Sequence, residues 1–171
     1  MFSTKWPDNA PIGGGVDAVL SAVTDVAERS FYAMAEHCDE DRFAELAAAH
    51  RQWLSAQVRF VEHDCAGVVT CRLPVALAER LFDAFCGRDP DDPAAPLSDV
   101  YDLVGEFANM IGGSWLTRTA NERTFALSRP TVADEALPSG VVGAGVALAI
   151  DEQPCLVSIE FTTVPEAAAA R

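Results

Sequence analysis

Three polar residues, Asp102, Glu106 and Asn109, recur at helical spacing in the stretch 97–118. At about 100° per residue, positions separated by three, four and seven residues lie on the same face of an α-helix. That face would present a carboxylate and a carboxamide one turn apart, both able to form hydrogen bonds with a partner or with water. On these residues alone, an ordinary solvated helix face is the default interpretation.

Glycines accompany the polar residues, at positions 105, 112 and 113. Each glycine inside a helix costs about 1 kcal/mol relative to alanine, so three of them call for a structural reason. Placed on the exposed face, they would form a shallow trough that another backbone can approach. The alternative is clearance for packing the helix on a sheet. The opposite face carries the apolar stripe of a helix docked on a core, formed by Val100, Val104, Phe107, Ala108, Ile111 and Trp115.

The rest of the chain offers no better catalytic set. It contains no nucleophile elbow, no P-loop and no GxGxxG, and no histidine pair at i, i+4 suits a metal. His37 beside Cys38, and His63 with Cys65 and Cys71, do not match the usual ligand spacing, so no metal site is predicted. Five scattered cysteines without a CxxC pair predict reduced, mostly buried thiols.

Composition narrows the class of protein. A chain of 171 residues with 50% apolar content suits one domain with a substantial core. The formal charge of -14 argues against nucleic acid and anionic membranes as partners, and favours a basic patch on a protein partner. No apolar run approaches the roughly 20 residues of a membrane span, and the N-terminus lacks the apolar region of a signal peptide. A cytoplasmic protein is expected.

Hydrophobic periodicity predicts the elements that position the polar helix. Residues 1–15, rich in proline and glycine, are expected to be a flexible lead-in to a single domain at 16–164, with a flexible tail at 165–171. A five-turn helix is predicted after the lead-in, starting near position 16. The stretch 38–50 has helical propensity, but helix, strand and irregular structure all remain possible there. Alternation predicts a hairpin over 54–73 with one solvated face, and Pro74 starts a helix that ends before Gly87.

The second half of the chain repeats the order of helix and hairpin. Prolines and acidic residues make 88–96 an exposed loop, after which Ser98 or Asp99 caps the polar helix. A short strand is predicted at 124–128, a connection at 131–139, and a hairpin over 142–162 with a turn at 151–154. Hairpin-paired strands and amphipathic helices together predict an α+β fold, a largely antiparallel sheet under a layer of helices.

A longer motif surrounds the polar residues. It consists of Asp102-x3-Glu106-x2-Asn109, continued as Met110-Ile111-x-Gly113, and Ser128-x-Pro130 downstream. This motif resembles the signature of the CheC/CheX/FliY phosphatases of bacterial chemotaxis, and most closely the CheX-like branch. The order of predicted elements agrees with that family over 16–163. The resemblance implies a CheX-like fold and a homodimer joined through sheet edges.

The resemblance also implies a reaction, hydrolysis of the aspartyl phosphate on a CheY-like receiver domain. Asn109 would orient the attacking water, and Glu106 would meet the active-site lysine of the receiver. The receiver would bring its own Mg²⁺, so no cofactor bound by this chain is expected. The alternative function is a binding module that recognises a receiver or a flagellar-switch component without catalysis.

Four further residues are implied in partner binding: Asp102, Gly105, Gly113 and Pro130. Asp102 either extends the acidic face toward the partner or only solvates the helix. Gly105 and Gly113 would permit close approach of the partner, with helix packing as the alternative. Pro130 either fixes a loop beside the site or terminates a strand.

Overall fold

The computed structural model describes residues 6–8, 10–89, 91–136 and 144–162, which form four helices and seven strands. In chain order these are α1 (Gly15–Phe31), β1 (Ala35–His37), α2 (Glu40–Ala48), β2 (Trp53–Glu62), β3 (Cys65–Pro74), α3 (Val75–Cys86), α4 (Leu97–Thr119), β4 (Ala126–Leu127), β5 (Thr131–Glu135), β6 (Ala144–Ile150) and β7 (Gln153–Thr162). The predicted tail at 165–171, the first five residues of the predicted lead-in and the start of the predicted strand at 142 lie outside the described residues.

The strands form one sheet in which every pairing is antiparallel. Their order is β1-β6-β7-β3-β2-β4, and β5 pairs with β2 on the same edge as β4. Helices α1, α3 and α4 share one hydrophobic core with the sheet, whereas α2 packs in a smaller cluster with Trp53 and Leu156. The predicted α+β fold with a largely antiparallel sheet is confirmed. Within the described residues, none of the helices is long and apolar enough to cross a bilayer.

Both predicted hairpins are present. Strands β2 and β3 pair from Trp53 opposite Pro74 to Glu62 opposite Cys65, which leaves a two-residue turn. The turn between β6 and β7 is also two residues, Asp151 and Glu152, and is shorter than predicted. Both of its residues have positive φ (46° and 63°), as a tight type I′ turn requires.

The face of the sheet that was predicted to be solvated is more buried than expected. The hairpin was expected to have one solvated face, yet β3 is buried along most of its length, including Thr70 at 6% exposure. β3 has a neighbouring strand on each side, β2 and β7, and Thr70 lies opposite Ser158 of β7, which is also buried. On this face Arg72 forms a partly buried ion pair with Glu135 at 3.0 Å. The expectation of a solvated face is therefore wrong for β3.

Three local expectations are resolved or corrected by the structure. The stretch 38–50, for which the prediction was undecided, contains α2. Its N-cap Asp39 accepts a hydrogen bond of 2.8 Å from the Arg42 backbone N–H. The predicted connection at 131–139 begins with strand β5, which pairs with β2. Helix α4 starts after Pro96 without a side-chain cap, so capping by Ser98 or Asp99 was wrong. Asp99 instead lies in the first turn, where its charge is favourable to the helix dipole.

Part of the predicted lead-in lies against the core. Trp6 donates a hydrogen bond of 3.1 Å from its indole Nε1 to the Ile12 carbonyl, and Ile12 is buried. The Trp6 ring is 6.0 Å from the Trp115 ring and 5.6 Å from the Phe161 ring. The segment ahead of α1 therefore covers one end of the core next to α4.

The cysteines are free thiols, as predicted, and their burial sets their reactivity. Cys86 is exposed at the end of α3, whereas Cys38, Cys65, Cys71 and Cys155 are buried. Burial raises the pKa of Cys38 to about 11 and that of Cys71 to about 12, and it raises the pKa of the other two buried thiols. A raised pKa leaves little of the nucleophilic thiolate at neutral pH.

We therefore expect one thiol to react rapidly with Ellman's reagent at pH 8 in the folded protein, and all five after unfolding in guanidinium chloride. Replacement Cys86→Ser should remove this rapid reaction and leave only the slow reaction of the four buried thiols. Two or more fast equivalents in the native Cys86→Ser protein would contradict the assigned burial.

Candidate active site on the central helix

Helix α4 divides sharply into an inner and an outer face. Its inner face supplies buried residues to the core, including Phe107, Ile111 and Trp115. On the outer face Asp102 and Glu106 are exposed and Asn109 is half-buried. Within the described part of the chain, none of these three side chains forms a hydrogen bond or ion pair. Their polar groups are thus available to water or to a partner, as the helical spacing predicted.

A groove of about 420 Å³ runs between α4 and β5, beside Glu106. It is lined by Tyr101, Asp102, Gly105, Glu106, Pro130 and Val132. The Tyr101 hydroxyl donates a hydrogen bond to the Asp134 carboxylate, which ties the first turns of α4 to β5. This hydrogen bond raises the pKa of Tyr101, because the carboxylate stabilises the protonated phenol. Asn109 lies one turn beyond the groove, on the same outer face.

Pro130 forms the wall of this groove and is held in place from both sides. Just upstream, the Ser128 backbone N–H donates to the Arg59 carbonyl at 2.9 Å, and the Ser128 hydroxyl accepts from the Arg59 backbone N–H at 3.0 Å. Pro130 then immediately precedes β5 and contacts Gly105 of α4. Pro130 thus lies between β4 and β5 and packs on α4, and its part in partner binding stays a prediction.

The glycines do not all lie on the exposed face, and this expectation was wrong for two of them. Gly105 is buried, and a Cβ atom there would lie 3.0 Å from Pro130 Cβ and 3.4 Å from Val132 Cγ2. Gly112 is also buried, with Val69 of the sheet 3.4 Å from such an atom. Around Gly113 no atom would lie within 4 Å. The clearance at Gly105 and Gly112 serves internal packing, whereas Gly113 leaves open space near Asn109. Their involvement in partner binding stays a prediction.

Alanine substitutions separate these two situations. Alanine is favoured over glycine in a helix by about 1 kcal/mol, so Gly113→Ala should raise the free energy of unfolding by nearly that amount. Gly105→Ala gains the same propensity but presses its methyl group against the proline ring. We expect its free energy of unfolding, measured in urea, to fall at least about 1 kcal/mol below that of Gly113→Ala. Equal stabilisation by both substitutions would show that α4 and Pro130 are not in close contact.

Sequence reasoning missed three residues of the groove region, Tyr101, Val132 and Asp134. Two of them belong to β5, which was predicted to be a connection. The only signal was the β-branched pair Thr131-Val132 after Pro130, too short to distinguish a five-residue edge strand from a loop. Among the described residues, no three His, Cys, Asp or Glu side chains cluster in a way that would hold a metal ion.

Comparison with solved structures identifies the fold. CheX from Vibrio vulnificus superimposes with a TM-score of 0.63 at 17% identity, covering 86% of this chain and 95% of its own. CheX from Borrelia burgdorferi, solved as a complex with CheY, BeF3 and Mg²⁺, gives 0.58 at 13% identity, covering 85% and 96%. FliY from Thermotoga maritima gives 0.51 at 15% identity, covering 82% and 83%. The fold is thus that of the CheX and FliY chemotaxis proteins.

The family follows from the sequence itself. The family model for the chemotaxis phosphatase CheX matches residues 55–150, more than half of the chain, and the chain belongs to this family. The matched region runs from β2 to β6 and includes Asp102, Glu106, Asn109 and Pro130. Among curated proteins, none matches this chain at a significant level of similarity.

Proposed function

We propose that this protein hydrolyses the aspartyl phosphate of a CheY-like receiver domain, with Asn109 orienting the attacking water. The observation that carries the proposal is the outer face of α4, where Glu106 and Asn109 stand one turn apart without partners among the described residues. Membership of the chemotaxis phosphatase family supports the reaction type. The Borrelia CheX, solved with CheY, supports a receiver domain as the partner.

In the proposed reaction this protein needs to contribute only the positioning of the attacking water. In the proposed step water attacks phosphorus, the bond from phosphorus to the aspartate oxygen breaks, and the products are inorganic phosphate and the free carboxylate. An acyl phosphate is already activated, and the receiver would contribute Mg²⁺ and a lysine to neutralise the phosphoryl charge. What remains is to hold water in line with the departing oxygen. A hundredfold acceleration corresponds to about 2.7 kcal/mol, which one well-placed polar group can supply.

Glu106 has a different role in this proposal, docking the helix through the lysine of the receiver. Such an ion pair fixes the register of α4 and becomes partly desolvated in the complex. We expect Glu106→Gln to raise KM for the phosphorylated receiver by roughly tenfold, with a smaller effect on kcat. Glu45→Gln is the matched control, because Glu45 is an exposed glutamate of α2, whose buried residues belong to a cluster without α4 residues. Steady-state kinetics showing an unchanged KM for Glu106→Gln would exclude this docking role.

The test of the function itself is phosphate release from phosphorylated receiver domains of the source organism, with and without the protein. Acceleration of release from at least one receiver is the expected result. If the protein leaves the rate of phosphate release unchanged for every receiver, the enzymatic proposal is wrong. Binding by calorimetry without acceleration would instead identify a non-catalytic binding module.

A further inference from the structure

A second groove, of about 300 Å³, lies between α1 and α4 on the other flank of the helix that carries Asn109. Its polar lining consists of Asp25, Arg29, Ser30, Ser114, Thr117 and Arg118. The lining residues thus include two arginines and three hydroxyl-bearing side chains, with a single carboxylate. The formal charge of this lining is +1, in a chain whose total is -14. Such a donor-rich groove suits an oxyanion, and carboxylates bind arginine with paired, charge-assisted hydrogen bonds.

The two arginines are not equivalent. Arg118 forms an ion pair with Asp25 across the two helices and donates from Nε to the Ser114 hydroxyl at 3.4 Å. Its position is set by these contacts. Arg29 is exposed, and among the described residues it has no ion pair and no hydrogen bond. Arg29 is thus the cation of this groove that is free to meet a group from outside.

The position of the groove connects it to the proposed site. Ser114 and Thr117 follow Asn109 by five and eight residues, which corresponds to about 7.5 and 12 Å along the helix axis. A protein interface of standard size buries about 800 Å² on each partner, which is large enough to extend from Asn109 to this flank. Such a footprint has carboxylates in the N-terminal half of α4 and, beside the C-terminal half, the Arg29 guanidinium of the neighbouring α1. Opposite charges at the two ends of a footprint favour one orientation of the partner.

We propose that this groove receives an acidic side chain of the receiver domain, and that Arg29 is the specificity-determining residue that binds it. The inference rests on the proposed function for the identity of the partner. The receiver would present a basic group to Glu106 and, displaced along the helix, an acidic group to Arg29. Neutralising Arg29 weakens association without changing the chemical step, because Arg29 does not reach the reacting atoms.

The experiment measures binding of the receivers of the source organism, each loaded with Mg²⁺ and BeF3, to matched variants by calorimetry. We expect Arg29→Gln to raise Kd about five- to tenfold and Arg29→Glu to raise it further. Asp25→Asn should lower Kd, since it removes the one carboxylate from the groove. Arg51→Gln is the control, because Arg51 is exposed, has no ion pair among the described residues and lies next to the α2 cluster. The difference between wild type and Arg29→Gln should shrink at high salt.

The outcomes separate this inference from the proposed function. If the wild type accelerates phosphate release and Arg29→Gln has wild-type Kd and KM, the inference fails and the function stands. If the wild type binds a receiver without accelerating release, the function fails, and the Kd values of the Arg29 variants still decide the inference. Absence of binding to every receiver overturns both. Rescue of Arg29→Glu by a charge-reversed acidic residue on the receiver would identify the contact directly.

Discussion

Replacing Asn109 by alanine is expected to lower kcat for phosphate release about a hundredfold and to leave the fold intact. The carboxamide is the only group assigned to positioning water, and its loss removes roughly 2.7 kcal/mol of transition-state stabilisation. The side chain is half-buried, and it forms no hydrogen bond with another described residue, so little folding energy depends on it. Phosphate release under single-turnover conditions measures the chemical step directly.

Two controls make this result interpretable. Asn121→Ala removes an exposed asparagine just beyond the end of α4, and it should retain wild-type kcat. Binding of the Mg²⁺ and BeF3 form of the receiver by Asn109→Ala should stay close to wild type, because the proposed docking contact is made by Glu106. If Asn109→Ala binds the receiver and accelerates phosphate release as the wild type does, another group must orient the water.

Replacing Trp115 by alanine is expected to have the largest effect on stability, about 3–5 kcal/mol in the free energy of unfolding. Trp115 is completely buried on the inner face of α4. Its ring packs against the rings of Phe60 at 5.4 Å, Trp6 at 6.0 Å and Phe161 at 6.3 Å. Removing the indole leaves a cavity bounded by three aromatic side chains from the sheet and the N-terminal segment. Since domains of this size unfold with about 5–15 kcal/mol, the loss is a large fraction of the total.

A graded series tests the cause of this loss. The Trp115 indole N–H is buried without a hydrogen-bond partner in the described structure, so Trp115→Phe removes an unsatisfied donor along with part of the ring. We expect Trp115→Phe to cost clearly less than Trp115→Ala in urea unfolding. Tyr32→Ala, at an aromatic residue that is 82% exposed, should change stability by less than about 0.5 kcal/mol. Equal losses at Trp115 and Tyr32 would contradict the packing described.

The sequence predicts best where one period dominates over many residues. Val100, Val104, Phe107, Ile111 and Trp115 were assigned to the core from the helical repeat alone, and all are buried. The two hairpins followed in the same way from alternation. The same wheel placed Glu106 outward, which the structure confirms.

Prediction failed where a neighbour distant in sequence decides the outcome. Gly105 was placed on the exposed face because a helical wheel includes only the residues of the helix. Pro130, 25 residues later, covers Gly105 in the structure. Strand β5 is five residues long and is stabilised by pairing with β2, more than 70 residues earlier. Short edge strands carry little periodic signal, so local sequence does not distinguish them from loops. The partner-binding surfaces are harder still, because they depend on a second molecule.

The separation of the two faces of α4 has an evolutionary consequence. Side chains that pack in the core lie on one face of this helix, and the exposed polar side chains lie on the other. Selection can therefore alter the outward positions while the scaffold persists unchanged. Under the proposed function, replacing the one side chain at position 109 would abolish hydrolysis at little cost in folding, so descendants of one ancestral domain could exchange hydrolysis for recognition.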